Sequence, residues 1–131
     1  MVRRVPLDVG LSAVCDLSVT DADTARAMRS GDVLVLSTPR VVGLAEEAVV
    51  AAVAGALPEG TTTVGYRVQI DHLAPVPVGG KVRAEATLTA AEGRRLTFRV
   101  LVTDGRGLVA AGRITRVVVD TDRFLERAAG S

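Results

Sequence analysis

The stretch from Pro39 to about Ala56 constrains this chain more than any other. Val41, Val42, Leu44, Ala45, Ala48, Val49, Val50, Ala52 and Val53 crowd it, and only Arg40, Glu46 and Glu47 carry charge. Thr38 is the expected N-cap, and Pro39 suits the first helical position, where no backbone N–H is needed. Leu57-Pro58-Glu59-Gly60 supplies the stop. A helix apolar on nearly all sides has to be buried on nearly all sides. The rest of the chain must build a wrapper, and with little aromatic bulk, since Phe, Tyr and Trp make up 2% of the 131 residues. Val, Ala and Leu pack closely but bury little area each, which leaves a small domain short of stability alone. An oligomer is the expectation, and a monomer by light scattering would count against it.

The wrapper reads as strands. Leu11, Ala13, Cys15, Leu17 and Val19 share one parity against Ser12, Asp16 and Ser18, the period of a half-buried strand. Past Gly60, Thr61 to Leu73 puts Val64, Tyr66, Val68, Ile70 and His72 on one parity. Lys81 to Ala90 turns Val82, Ala84, Ala86 and Leu88 inward, and Arg95 to Thr103 does so with Leu96, Phe98, Val100 and Val102. Glu92-Gly93 and Asp104-Gly105-Arg106-Gly107 are hairpin signals, the second leading into Leu108 to Asp120. Thr20 to Ser37 is irregular, with a short helix expected over Thr24 to Arg29 and a turn at Ser30-Gly31-Asp32. Asp122 to Ala129 reads as a short helix packing Phe124 and Leu125. The order predicts one α+β domain over 1–131, a curved antiparallel sheet wrapped around one long central helix.

Charge and composition narrow the function. Lys+Arg 16 against Asp+Glu 15 argues against nucleic-acid binding. No apolar run approaches the roughly 18 residues of a membrane span, and MVRRVPLDVG lacks the apolar core of a secretory signal. The expectation is a cytoplasmic protein that meets neither membrane nor nucleic acid. Cys15 stands alone and reads as a small buried hydrophobe. No Cys/His cluster is spaced for zinc, so no metal is expected. His72 is the one histidine, so any imidazole chemistry passes through it.

Thr38, Glu46 and His72 stand out as polar residues in apolar surroundings. Thr38 marks a helix N-terminus, whose N–H groups and dipole can hold a developing oxyanion. Glu46 lies eight residues on, roughly 12 Å along the axis, too far for a compact triad within one chain. A partner chain, or a substrate spanning the gap, fits better. Gly43 inside a helix costs about 1 kcal/mol, and Gly65 inside a strand suggests a close approach. Together they point to a tight contact or a binding slot.

Thr38-Pro-Arg-Val-Val-Gly-Leu-Ala-Glu46, then Gly65 with His72 seven residues on, then Glu92-Gly-Arg-Arg-Leu96, resembles the fluoroacetyl-CoA thioesterase family, which belongs to the hotdog thioesterases. The similarity runs from about Val33 to Phe124. The resemblance implies the hotdog fold, acyl-CoA hydrolysis in a homodimer or higher homo-oligomer with sites between subunits, and no cofactor beyond the CoA of the substrate. It places a catalytic constellation on Thr38, Glu46 and His72, with Gly65 near the thioester carbonyl. Gly43, Arg94 and Arg95 are further substrate-binding candidates, and Arg113 and Arg116 could also meet CoA phosphates. The fluoroacetyl-specific enzyme carries an aromatic lid ahead of the helix. Thr20 to Ser37 holds no Phe, Tyr or Trp, which implies a broader or different acyl group. The alternatives are a non-catalytic acyl-CoA or small-ligand binder and, more weakly, a hydratase on Asp71-His72, whose side chains point to opposite faces.

Overall fold

The computed structural model describes residues 7–130. The reading of residues 1–10 as lacking a secretory signal falls in its larger part on 1–6, outside the described residues. Five strands form one antiparallel sheet: β1 (Ser12–Ser18), β2 (Thr61–His72), β3 (Lys81–Glu92), β4 (Arg95–Asp104) and β5 (Gly107–Asp120). Their spatial order is β1-β3-β4-β5-β2. The helix α1 (Thr38–Val53) lies in the concave side, packed chiefly on β1 and β3. A short helix α2 (Thr121–Ala128) follows β5. This is the wrapped α+β arrangement that the element order predicts.

The inward sides of β3 and β4 carry the expected residues, and Phe98, Leu88 and Leu96 are fully buried against Leu44, Val41 and Val49 of α1. Cys15 faces inward opposite Ala84, as its parity requires.

Several expectations are corrected. α1 stops at Val53 rather than Ala56, because Ala54 leaves helical geometry and Gly55 follows at φ 81°. Thr24 to Arg29 is a run of turns behind a one-turn 3-10 helix, Asp21–Asp23; it is fastened by the Thr24–Leu36 bridge and by Ala25 N–H on Val35 carbonyl. Phe124 and Leu125 of α2 are not packed away. Nor is α1 covered all round: Val50 is 47% exposed, and Val42, Gly43 and Glu46 beside it are only half-buried.

The largest correction is in β2. The register with β5 steps from Gly65–Arg116 directly to Arg67–Thr115, so Tyr66 is the extra residue of a bulge. Thr63 and Gly65 before it, and Val68, Ile70 and His72 after it, share the face toward α1, whereas Val64 and Tyr66 turn outward. Without the bulge, Gly65 and His72, an odd seven residues apart, would face opposite sides of the sheet.

Candidate active site

Ser37, not Thr38, caps α1. Its Oγ accepts the Arg40 N–H at 3.1 Å, and its carbonyl accepts the Val41 N–H. Pro39, the second helical residue, has no N–H to offer, so the cap is made to the Arg40 N–H. Capping by Ser37 also frees the Thr38 hydroxyl, which shares a 2.9 Å hydrogen bond with His72 Nδ1. The other ring nitrogen, Nε2, is buried without a partner among the described residues, a situation that calls for a ligand or a second chain. The pair sits at the wall of a groove of about 300 Å³ lined by Ala25, Val33, Val35, Leu36 and Leu73.

Two further contacts fix the segment ahead of the helix. The Asp23 carboxylate accepts from Thr20 N at 2.8 Å, from the Thr20 hydroxyl at 3.0 Å and from Arg40 Nε at 3.1 Å. Burial alone would raise the Asp23 carboxyl pKa, but the Thr20 N–H, the Thr20 hydroxyl and the Arg40 guanidinium together hold it below its ordinary value. The Ser37 hydroxyl lies 2.9 Å from the Met28 sulfur. The segment is thereby tied to the first turn of α1, beside Thr38.

Glu46 belongs to a second cluster. Arg116 Nη1 donates to its Oε2 at 3.1 Å, while Arg116 Nε and Nη2 are spent on the Thr63 hydroxyl and carbonyl at 3.0 and 2.8 Å. The Arg116 side chain is 11% exposed, so it is not a surface cation awaiting a phosphate but the group that orients the Glu46 carboxylate. Gly65 lies opposite Arg116 in the register, and a Cβ built there would stand 3.3 Å from Glu46 Oε2. The glycine makes room for the Glu46–Arg116 pair. Gly43 does not join this contact; the atom nearest to a Cβ there is Arg40 Nη1, at an ordinary 3.5 Å.

Thr38 and His72 are therefore brought together, as are Glu46 and Gly65, but the two clusters lie about two helical turns apart along α1. Arg94 and Arg95 also diverge. Arg95 lies on the outer sheet face over the Tyr66 ring, whereas Arg94 lines a small cleft with Arg123, Phe124 and Arg127. Among the described residues, no group of three His, Cys, Asp or Glu is placed to share a metal.

The family model described as fluoroacetyl-CoA-specific thioesterase matches residues 19–122, and that span includes every residue of both clusters. The chain belongs to the fluoroacetyl-CoA-specific thioesterase family. The fluoroacetyl-CoA thioesterase of Streptantibioticus cattleyicolor is 37% identical over 90 residues, 69% of this chain and 65% of that protein. A solved structure of the fluoroacetyl-CoA thioesterase FlK superposes with TM-score 0.89 at 30% identity, covering 95% of this chain and 97% of that one. A hot-dog-like protein from Thermanaerovibrio acidaminovorans gives 0.87 at 29% identity over 95% and 92% of the two chains. The family and the hotdog fold implied by the Thr38, Glu46, Gly65 and His72 spacing are both found.

Proposed function

We propose that this chain hydrolyses acyl-CoA thioesters to the free acid and CoA, in sites shared between two copies of itself. What carries this reading is the division of the site. His72 Nε2 is buried beside Thr38 with no partner among the described residues, and the Glu46 carboxylate is oriented by Arg116 but 35% exposed. Each cluster lacks what the other holds. A second copy laid on the open stripe of α1, at Val42, Gly43, Glu46 and Val50, would bring its own Glu46 toward Thr38 and His72. It would also cover the apolar surface left on that stripe. Gly43, with no side chain, lets that copy or the substrate approach closely.

In this arrangement Thr38 orients the thioester by its hydroxyl, and His72 Nε2 meets the carbonyl oxygen or the departing sulfur. Glu46 acts as general base on water or as nucleophile on the carbonyl. Gly65 leaves space for the thioester beside the carboxylate, and Arg94 and Arg95 are within the reading as contacts for CoA phosphates. Among the described residues, no helix is long and apolar enough to cross a membrane, and a cytoplasmic location fits the reading. The groove beside Thr38 and His72, walled by aliphatic side chains with no aromatic ring, suits an unbranched aliphatic acyl chain of several carbons better than a two-carbon one.

The experiment is hydrolysis of an acyl-CoA series from two to eight carbons, followed with a thiol reagent. Each methylene taken up by the groove adds ~0.8 kcal/mol, about fourfold in kcat/KM, so kcat/KM climbs with chain length until the groove is full. Glu46→Gln lowers kcat by about 100-fold or more. A Glu46→Gln protein with full activity removes Glu46 from the mechanism. Tight binding of acyl-CoA without turnover by the unaltered chain would favour the non-catalytic binder.

A further inference from the structure

The bulge in β2 turns Tyr66 onto the sheet face away from α1, where it is 53% exposed. Two guanidinium groups lie over its ring, Arg95 Cζ at 4.7 Å and Arg67 Cζ at 5.7 Å from the centroid. The same face carries Arg99 and Arg113, directly opposite one another in the β4–β5 register. A cavity of about 420 Å³ is lined by Tyr66, Arg67, Arg95 and Arg113 together with Gln69 and Glu92. Among the described residues, no carboxylate comes within 4.0 Å of Arg67, Arg95, Arg99 or Arg113, although Asp+Glu number 15 in the chain.

Like charges directly opposite in a sheet destabilise it, so the fold gains nothing from setting Arg99 opposite Arg113. Contact with the Tyr66 ring restrains two guanidinium groups, whose N–H edges enter no ion pair among the described residues. Such edges match phosphate oxygens in pairs, and donors already held in place lose little freedom on binding. Glu92 stands in the lining beside Arg95, and Asp71 and Glu85 flank the cluster on the same face, so the positive field is a spot rather than a track. That suits a small ligand and not a nucleic-acid strand.

We infer that the outer sheet face at Tyr66, Arg67, Arg95 and Arg113 binds an organic polyphosphate of nucleotide size. The phosphates lie against the guanidinium edges. The ligand is either the nucleotide end of the acyl-CoA or a separate nucleotide. Binding itself stands apart from the hydrolytic reading, and only the choice between those two sources rests on it.

The test is calorimetric titration of the full chain with ADP and with adenosine 3′,5′-bisphosphate at physiological salt. Saturable binding is expected for the unaltered protein, weakened about tenfold or more in Arg67→Ala/Arg113→Ala. The melting temperature of that variant stays about level, because the lost Arg67 contact with Tyr66 is offset by removal of the opposed Arg99–Arg113 pair; arginines with a merely structural role would lower it clearly. Absence of saturation at millimolar nucleotide, or equal binding by the variant, overturns the proposal. A second arm locates the source. ADP that competes with acyl-CoA but does not slow hydrolysis of the acyl-N-acetylcysteamine thioester occupies the place of the substrate's own nucleotide. ADP that binds without affecting either reaction marks a separate ligand. A protein that binds ADP yet cleaves neither thioester sinks the hydrolytic reading and leaves this one standing.

Discussion

Asp23 shows how much of the site rests on single side chains outside it. Its carboxylate is nearly buried, and it is held ionised by Thr20 and Arg40 below its ordinary pKa. The depressed value sets the sign of its effect. Between the unfolded carboxyl pKa, near 3.9, and the lower folded one, the unfolded chain binds more protons, so stability rises with pH. The contribution is complete above the unfolded pKa and disappears as pH falls through the folded one. Asp23→Asn should therefore lower the melting temperature at pH 7 and flatten its dependence on pH below about 4, as thermal scans across pH 2–7 would show. An unchanged acid limb would detach Asp23 from folding. Thr38, Glu46 and His72 were legible in the sequence because each interrupts an apolar pattern. Asp23 was not, and Arg116 stood out only as a contact for CoA phosphates, not as the partner of Glu46. Their partners stand 17 and 70 residues away in the chain, and an arginine on a strand reads as a solvated face until the fold shows what lies opposite.

At the scale of elements, α1 shows two adjacent hydroxyls with separate duties. Ser37 caps the helix and Thr38 holds His72. Ser37→Ala should cost about 1 kcal/mol of stability, visible in urea unfolding, with kcat largely retained. Thr38→Val should spare stability and lower kcat/KM for acyl-CoA by about tenfold, the loss of one hydrogen bond to a reacting group. If the two variants lose stability and activity in equal proportion, the separation of roles is wrong. The sequence reading gave the cap to Thr38, since both residues suit the position and Pro39 allows either frame. The strands were legible from their alternation, and β3, β4 and β1 kept the parity read from it. β2 did not, because a bulge is one added residue with no composition of its own. The odd spacing of Gly65 and His72 was its sequence trace, given that both face the helix.

The whole molecule carries an unfinished surface. The apolar composition of α1 asks for burial all round, and one sheet leaves the stripe through Val42 and Val50 open. If a second copy covers that stripe by two-fold symmetry, each of two equivalent sites draws Thr38 and His72 from one chain and Glu46 from the other. Two impaired variants, Thr38→Ala and Glu46→Gln, then complement each other. In the mixed dimer one site collects both lesions and the other collects none. Random pairing makes half of the dimers mixed, so the unfolded and refolded mixture should recover about a quarter of the unaltered activity, above the roughly one-tenth that Thr38→Ala and the roughly one-hundredth or less that Glu46→Gln keep when refolded alone. Sedimentation of the same samples checks that the recovered activity travels with the dimer. No recovery from a mixture that does dimerise would mean that each chain completes its own site, with the substrate spanning the two helical turns between Thr38 and Glu46.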